Sequence, residues 1–195
     1  MEREKMLPAV ETFVASLREA CAAGVEGEAR WRRCGELLSE LLRDPALKAH
    51  AQAWPVGGFD GKKVDNLLFY VDPDYGFALN GLIKNPGGRA MVHDHGPAWT
   101  VYGVLEGNER IVRFAADTDA AGTKSLRESS SLDCGPGDVD IVPPNEIHSE
   151  FAGERKSIAF IVRSQKTGTF RQLGFENGPD GAPISGPNQV PYALS

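Results

Sequence analysis

The pattern of hydrophobic and polar positions changes about one quarter of the way along the chain. Over residues 10–23, apolar side chains recur at steps of three and four, which is the period of one face of an α-helix. A second such stretch covers 28–43 and stops at an Asp-Pro pair, and a third, short one covers 46–53. The pattern therefore predicts a helical N-terminal element over residues 1–54.

After residue 55 the apolar runs become short and are separated by Gly, Pro, Asp and Asn. The runs cover 67–71, 77–83, 90–95, 99–105, 110–116, 125–132, 139–142, 148–152 and 157–162. Many short strands with turn residues between them are typical of an antiparallel sandwich or barrel. We predict a mainly β protein whose barrel core spans 66–163, with the helices packed outside because they are too few to form a core alone. The Gly- and Pro-rich tail, 178–195, is predicted to be an irregular strap.

Length and composition indicate an ordinary soluble domain. The 195 residues suit a single domain, 1–195, and 41% hydrophobic with 25% charged residues is usual for globular proteins. The net charge of −6, without a basic stripe, argues against a nucleic-acid partner. No apolar run reaches the length of a membrane span, and the first residues lack a secretory signal. Cys21, Cys34 and Cys134 show no CxxC spacing, so we expect reduced thiols and a cytoplasmic location.

The sequence His93-Asp94-His95 predicts a metal site. Side chains alternate along a strand, so the two histidines point the same way, about 7 Å apart, while Asp94 points outward as a metal-site support or an edge carboxylate. The chain has four histidines, and besides His50 the remaining one is His148, in a later strand-like segment. We therefore expect His93, His95 and His148 to share one metal ion. The alternative is that each is an unrelated polar residue near the surface.

The wider spacing resembles the two motifs of the cupin superfamily over roughly residues 77–163. The agreeing positions are Gly87, His93, His95 and Gly107 in the first motif, and Gly137, Pro143 and His148 in the second. Asn145 replaces the inner glycine of the second motif, which is tolerable because Asn can adopt a positive φ. The resemblance implies the cupin double-stranded β-helix, a jelly-roll barrel, with the three histidines as metal ligands.

At some positions the chain departs from the cupin motifs, and one departure removes the negatively charged ligand of the metal. The slot for the glutamate ligand holds Thr100 or, counted differently, Trp99, and the final Asn of the second motif is replaced by Ala152. Three histidines without a carboxylate leave positions open for an anionic ligand and dioxygen. Some catalytic zinc sites also have three histidines, so the pattern alone does not name the metal.

Within the cupins, residues 77–107 are similar to the thiol dioxygenases typified by cysteine dioxygenase. The resemblance implies Fe(II) on the three histidines, substrate thiolate and dioxygen as partners, and a sulfinic acid product. Several family features are absent: the cross-linking Cys falls at Thr100, only Ser157 remains of the Ser-x-His-x-Tyr strand over 157–161, and the carboxylate-binding Arg falls near Asp65.

Other side chains could replace those missing features. Tyr102 could donate a hydrogen bond into the cavity or belong to the barrel wall, and Arg89 or Lys84 could hold a substrate carboxylate or be exposed loop charges. Arg163 has the same two interpretations, while Glu109 is expected in a solvated hairpin. We take Tyr102 and Arg89 as the candidate catalytic residues.

These features favour a mononuclear non-haem iron(II) dioxygenase that oxidises a small thiol, of the cysteine or 3-mercapto acid type, to a sulfinic acid. A second hypothesis is a three-histidine dioxygenase that cleaves a β-diketone, which agrees with the apolar Ala159 and Ile161. A third is a cupin that binds a metal and a small ligand without turnover. The expected oligomeric state is a monomer or a homodimer.

Overall fold

The computed structural model of the chain describes residues 6–59, 62–63 and 66–195. Asp65, the position aligned with the family's carboxylate-binding Arg, lies outside these ranges. The described helices are α1 (Pro8–Ala22), α2 (Gly27–Leu41) and α3 (Pro45–Ala51). The described strands are β1 (Gly58–Phe59), β2 (Lys62–Lys63), β3 (Asn66–Val71), β4 (Ala78–Lys84), β5 (Thr100–Glu106), β6 (Glu109–Thr118), β7 (Lys124–Cys134), β8 (Val139–Val142), β9 (Ile147–Ala152), β10 (Ser157–Arg163), β11 (Gln172–Gly174), β12 (Ala182–Ile184) and β13 (Gln189–Pro191).

The helices occupy the stretches that the apolar spacing predicts. Helix α3 begins where Asp44 accepts a hydrogen bond from the backbone N–H of Leu47, at 2.7 Å, and Pro45 stands at its first position. Helix α2 packs against β5 so closely that a Cβ on Gly103 would lie 2.9 Å from the Leu38 side chain, so a larger residue there would force the leucine to shift. None of the helices in the described ranges has the length and apolar character needed to span a bilayer.

Apart from the separate pair β1-β2, the strands form two sheets whose order is that of a jelly roll. The larger sheet has the order β13-β3-β4-β10-β5-β8, and β7-β6-β9 belong to the other sheet. Residues 89–95, here called the histidine segment, join β9 to β11 because His93 forms bridges with both His148 and Gly174. Each sheet of the barrel has four neighbouring segments that come from distant parts of the chain, as in a double-sheet jelly roll. They are β4-β10-β5-β8 in one sheet, and the histidine segment followed by β9-β6-β7 in the other. The predicted fold class is confirmed.

Two apolar clusters hold the layers together. One lies between the helices and the outer face of the larger sheet, and includes Phe13, Leu38, Leu79 and Phe160. A smaller one lies between the two sheets, and its members are Tyr102, Val104, Ile111, Cys134, Ala159 and Ile161. The inner cluster fills only part of the barrel interior, and the remaining interior positions carry polar side chains.

Two segments differ from the sequence predictions. The tail is not an irregular strap throughout, since β12 pairs with β11 and β13 pairs in parallel with β3 through backbone groups that any sequence offers. The predicted strand over 90–95 is reduced to isolated bridges. The bridges Arg89–Phe151 and His93–His148 differ in register by one residue, which interrupts a regular ladder with β9. Two carbonyls of the segment accept from side chains, since Ser149 Oγ donates to Ala90 and Gln172 Nε2 donates to Asp94.

Candidate metal centre

Three histidines meet at the edge of the barrel interior. The backbones of His93 and His148 exchange two N–H···O hydrogen bonds of 2.9 Å, which fixes the histidine segment beside β9. The His93 and His95 rings point the same way, and their Nε2 atoms are 3.1 Å apart. One ligating nitrogen from each of the three residues lies within 4.8 Å of the other two. The structure therefore brings together the three histidines that the sequence predicts as ligands.

Hydrogen bonds to the backbone orient two of the rings. His93 Nδ1 lies 2.8 Å from the Met91 carbonyl, and His148 Nδ1 lies 2.9 Å from the Glu146 carbonyl. Because a carbonyl only accepts, each Nδ1 carries the proton and each Nε2 presents a lone pair. A hydrogen bond from the ring nitrogen that does not face the metal usually orients a metal-binding imidazole.

The arrangement fits a transition-metal ion. With metal–nitrogen bonds of about 2.1 Å, the 3.1 Å separation of the His93 and His95 nitrogens corresponds to an angle of about 95° at the metal. His148 Nε2 is buried and has no hydrogen-bond partner in the ranges that the structure describes. A buried lone pair without a donor is costly, and a bound cation would satisfy it. The three residues can thus hold a divalent ion on one face.

The protonation equilibria also favour a metal site. Burial, together with the two neighbouring imidazoles, holds the pKa of His95 well below its ordinary value, and burial lowers the pKa of His93. Both rings are therefore neutral near pH 7 and able to bind a cation. Burial lowers the pKa of His148 too, but the carboxylate of Glu150 outweighs this and leaves that pKa raised. His148 therefore binds a proton more readily than the other two rings do, and a metal ion would compete with that proton.

Glu150 is a residue of the centre that the sequence interpretation missed. It lies two positions after His148 on β9, so both side chains point to the same face. Its Oε1 is 3.4 Å from His148 Nε2, and the residue is 6% exposed. Burial alone raises the pKa of Glu150, but Lys84 and His148 hold it well below its ordinary value, so the carboxylate is charged. The two-residue spacing from His148 was the available signal.

His93 and His95 line a cavity of about 530 Å³, whose walls also include Ile161 and Arg163. Arg163 is 6% exposed and donates from Nη1 to Asn80 Oδ1 at 3.1 Å. Its Nε has no partner among the described residues. Burial lowers the pKa of Arg163 to about 10, which still leaves the guanidinium cationic at neutral pH. The cavity therefore contains a buried cation with an unused hydrogen-bond donor.

A second polar group lies deeper in the barrel, and it corrects two expectations. Lys84 is not an exposed loop charge and Glu109 is not in a solvated hairpin, since they are 8% and 2% exposed and their Nζ and Oε2 atoms are 2.6 Å apart. Tyr102 OH accepts from Lys84 at 2.7 Å and donates to Glu109 at 2.8 Å, and Ser157 also donates to Glu109. Closure of the barrel buries these charges together. Tyr102 lines the metal cavity, but its hydroxyl is held by this group.

The other candidate catalytic residue, Arg89, lies at the rim of the cavity. Its side chain is 55% exposed, its guanidinium lies 3.9 Å from Glu176, and it covers the ring of Phe151 at 5.6 Å from the centroid. Arg163, rather than Arg89, is the arginine buried beside the histidines. The catalytic roles assigned to Tyr102 and Arg89 stay predictions.

Comparison with known proteins finds similarity only in part of the fold. The Cnp3 cupin domain of Schizosaccharomyces pombe is 12% identical over 51% of this chain and 59% of its own, with a TM-score of 0.39. A recombinant oxalate oxidase in complex with glycolate is 17% identical over 56% of each chain, with a TM-score of 0.41. A cupin 2 conserved barrel domain protein from Rhodopseudomonas palustris is 16% identical over 49% of this chain and 56% of its own, with a TM-score of 0.38.

In all three comparisons the matched part spans less than two thirds of the other chain. No family model matches the sequence, and no curated protein is significantly similar to it. The likeness concerns the fold, so the chemistry has to be argued from the site itself.

Proposed function

We propose that this protein is a cupin-type oxygenase that holds one iron(II) ion with His93, His95 and His148 and oxidises a small thiol to a sulfinic acid. The observation that carries the proposal is the convergence of three ring nitrogens beside a cavity that is lined by His93, His95 and a buried, incompletely paired arginine. Imidazole suits iron, copper, nickel and zinc, and the choice of iron follows from the resemblance to thiol dioxygenases.

Iron(II), when bound, supplies positions at which a thiolate and dioxygen meet and a route for electrons between them. The overall change is RSH + O₂ → RSO₂H: sulfur loses four electrons, dioxygen gains them, and both oxygen atoms end on sulfur. The reaction therefore needs no external reductant.

Arg163 would bind and orient the substrate. A carboxylate in the cavity can accept hydrogen bonds from the guanidinium, whose Nε has no partner among the described residues. The same charge would attract an anion into the cavity. The preferred substrates are therefore small thiols that carry a carboxylate, which includes both the cysteine type and the 3-mercapto acid type.

The apolar wall would keep water from the reacting atoms. Leu82 packs against the cluster between the sheets, and Ala159 and Ile161 are fully buried members of it. Their side chains offer no hydrogen-bonding group, so the polar contacts of a substrate would come from other walls of the cavity, which include Arg163 and Glu150. Such a cavity also favours electrostatic binding, because water that would screen the charges is excluded.

The proposal is tested by dioxygen consumption of protein loaded anaerobically with iron(II). Cysteine and 3-mercaptopropionate should stimulate uptake, cysteamine, which lacks a carboxylate, should do so less, and the His148→Ala variant should show only background uptake. One sulfinic acid should form per dioxygen consumed. If no thiol raises dioxygen uptake above the level of His148→Ala, the proposal is contradicted.

A second candidate function is dioxygen-dependent cleavage of a β-diketone. The observation that favours it is the apolar character of Ala159 and Ile161, which lie where the resembled thiol dioxygenases have polar side chains. Acetylacetone in the same oxygen measurement separates the two chemistries. If the iron-loaded protein binds either ligand without consuming dioxygen, the remaining hypothesis is a non-catalytic ligand-binding protein.

A further inference from the structure

We infer that Glu150 is a fourth protein ligand of the metal, supplied by the same strand as His148. This inference rests on the proposed binding of the ion by the three histidines. The slot in which the sequence comparison expects a glutamate ligand holds Thr100, on β5, so the carboxylate would come from a different part of the barrel.

Strand geometry places the carboxylate beside the last histidine. His148 and Glu150 are two positions apart on β9 and so point to the same face, and Glu150 lines the cavity together with His93 and His95. The 3.4 Å between Glu150 Oε1 and His148 Nε2 is close to the 3.1 Å between the ring nitrogens of His93 and His95. Both separations suit neighbouring ligands of one ion with bonds of about 2.1 Å.

Electrostatics argue that a cation belongs next to these two atoms. The Nδ1 proton of His148 is directed to the Glu146 carbonyl, so Nε2 faces Oε1 of Glu150 with a lone pair. Two acceptors in contact in a buried site repel each other unless a cation lies near both. A proton on Nε2 can relieve this repulsion when the metal is absent, and a bound divalent ion would relieve it by attracting both atoms.

Direct contacts of the carboxylate are few. Among the described residues, its ion-pair contact is the one with His148, and the charge of Lys84 acts on it without such a contact. Lys84 is already engaged by Glu109, and the guanidinium Nη1 of Arg163 by Asn80. A buried carboxylate without such partners is costly, and binding to a metal is a general solution.

The bound ion is expected to draw Glu150 inward. The carboxylate is not part of the compact set formed by the three imidazole nitrogens, whose ligating atoms all lie within 4.8 Å of one another. Glu150 would therefore have to move towards the three nitrogens to bind the same ion. The carboxylate would reduce the net charge of the centre from +2 to +1, which favours retention of a divalent cation in a cavity that already contains the charge of Arg163.

The test is an anaerobic titration of the full-length protein with cobalt(II), whose visible spectrum reports the ligands, in competition with a chromogenic chelator. Glu150→Gln, which keeps the shape, should bind cobalt(II) at least tenfold more weakly than the unchanged protein and show shifted ligand-field bands. Glu150→Asp should lie between the two. Glu176→Gln removes the same charge at the cavity rim and should match the unchanged protein in both readouts.

Each outcome decides between supporting and rejecting the inference. Weaker binding with a shifted spectrum supports ligation by Glu150. Unchanged affinity, or weaker binding with an unshifted spectrum, overturns it, since the latter indicates a carboxylate that acts without touching the ion. Circular dichroism confirms that the variants are folded. If the unchanged protein binds no cobalt(II) or iron(II), the proposed metal centre fails as well, whereas a Glu150→Gln variant that binds normally removes this inference alone.

Discussion

Asp94 and Leu173 are joined by a pair of hydrogen bonds that closes the barrel beside the metal centre. The Asp94 N–H donates to the Leu173 carbonyl at 3.0 Å, and the Leu173 N–H donates to Asp94 Oδ1 at 2.9 Å. The same Oδ1 accepts from the Gly96 N–H at 3.0 Å. Asp94 points away from the histidines, as the alternation predicts, but it is only 4% exposed. Its carboxylate fixes the chain on both sides of His95.

We expect loss of this carboxylate to weaken metal binding. In Asp94→Ala, two backbone N–H groups lose their acceptor and His95 becomes less well fixed, so affinity for the ion should fall by about tenfold, the lower end for residues that support ligands. Asp94→Asn should have a smaller effect, because the amide oxygen still accepts. The measurement is a cobalt(II) titration of both variants. Equal affinity in Asp94→Ala and the unchanged protein would show that Asp94 does not position the ligands.

Replacement of Arg163 should affect substrate binding without destabilising the fold. Arg163→Gln removes a buried cation that has no ion-pair partner among the described residues. Loss of a charged hydrogen bond to a substrate carboxylate is worth about 1.5–3 kcal/mol. The value of kcat/KM for 3-mercaptopropionate should therefore fall roughly 10- to 100-fold, while oxidation of cysteamine changes little.

Steady-state oxygen uptake and a urea denaturation curve provide the two measurements for Arg163→Gln. Arg89→Gln, at the cavity rim, is the matched control, and it also tests the catalytic role predicted for Arg89. A larger loss in Arg89→Gln than in Arg163→Gln would reverse the assignment of the substrate-binding arginine.

The ion pair between Lys84 and Glu109 should stabilise the fold strongly only while both partners are present. Glu109→Ala leaves the buried ammonium group of Lys84 without its carboxylate, so the free energy of unfolding should fall by about 3–5 kcal/mol. The double variant Lys84→Met/Glu109→Leu should be much closer to the unchanged protein. Urea denaturation of the single and double variants forms a double-mutant cycle. Additive losses would show that the two charges are not coupled.

The buried thiol of Cys134 should react slowly with alkylating reagents. Burial, reinforced by the neighbouring Asp140 and Asp138, raises the pKa of Cys134 to about 11, so the thiolate is scarce near neutral pH and becomes abundant only above about pH 11. Labelling of native protein with iodoacetamide at pH 7.5, followed by peptide mass spectrometry, should leave Cys134 unmodified. Unfolded protein should react readily. Rapid labelling of native Cys134 would mean that the thiol is accessible and activated.

Sequence alone predicts the elements with regular periodicity and the ligands that depend on it. The strands around His148, and the pairing of His93 with His95, follow from two-residue alternation. The same alternation does not predict that Lys84 and Glu109 are buried, because their contact joins β4 to β6 across the closed barrel. Each residue by itself has the pattern of a surface charge, and only the closed fold shows that they pair.

The pairing of the tail and the burial of Arg163 also could not be predicted from the sequence alone. Strand β13 pairs with β3 through backbone groups, and such pairing produces no recognisable pattern in a Gly- and Pro-rich sequence. Arg163 ends an apolar strand, a position that suits an exposed charge as well as a buried one, and the structure places it in the cavity. Glu150 was within reach of the sequence, since the alternation that pairs His93 with His95 also pairs His148 with Glu150.

Metal content is the most direct test of the three-histidine centre. The protein is purified without oxygen, loaded with iron(II), freed of unbound metal and analysed by plasma mass spectrometry, beside single Ala variants of His93, His95, His148 and His50. A three-histidine centre should give one equivalent of iron in the unchanged protein and in His50→Ala, because the His50 ring hydrogen-bonds to Trp54 away from the cavity, and little iron in the other three variants. Full retention of iron by His148→Ala, or loss of iron from His50→Ala, would contradict it.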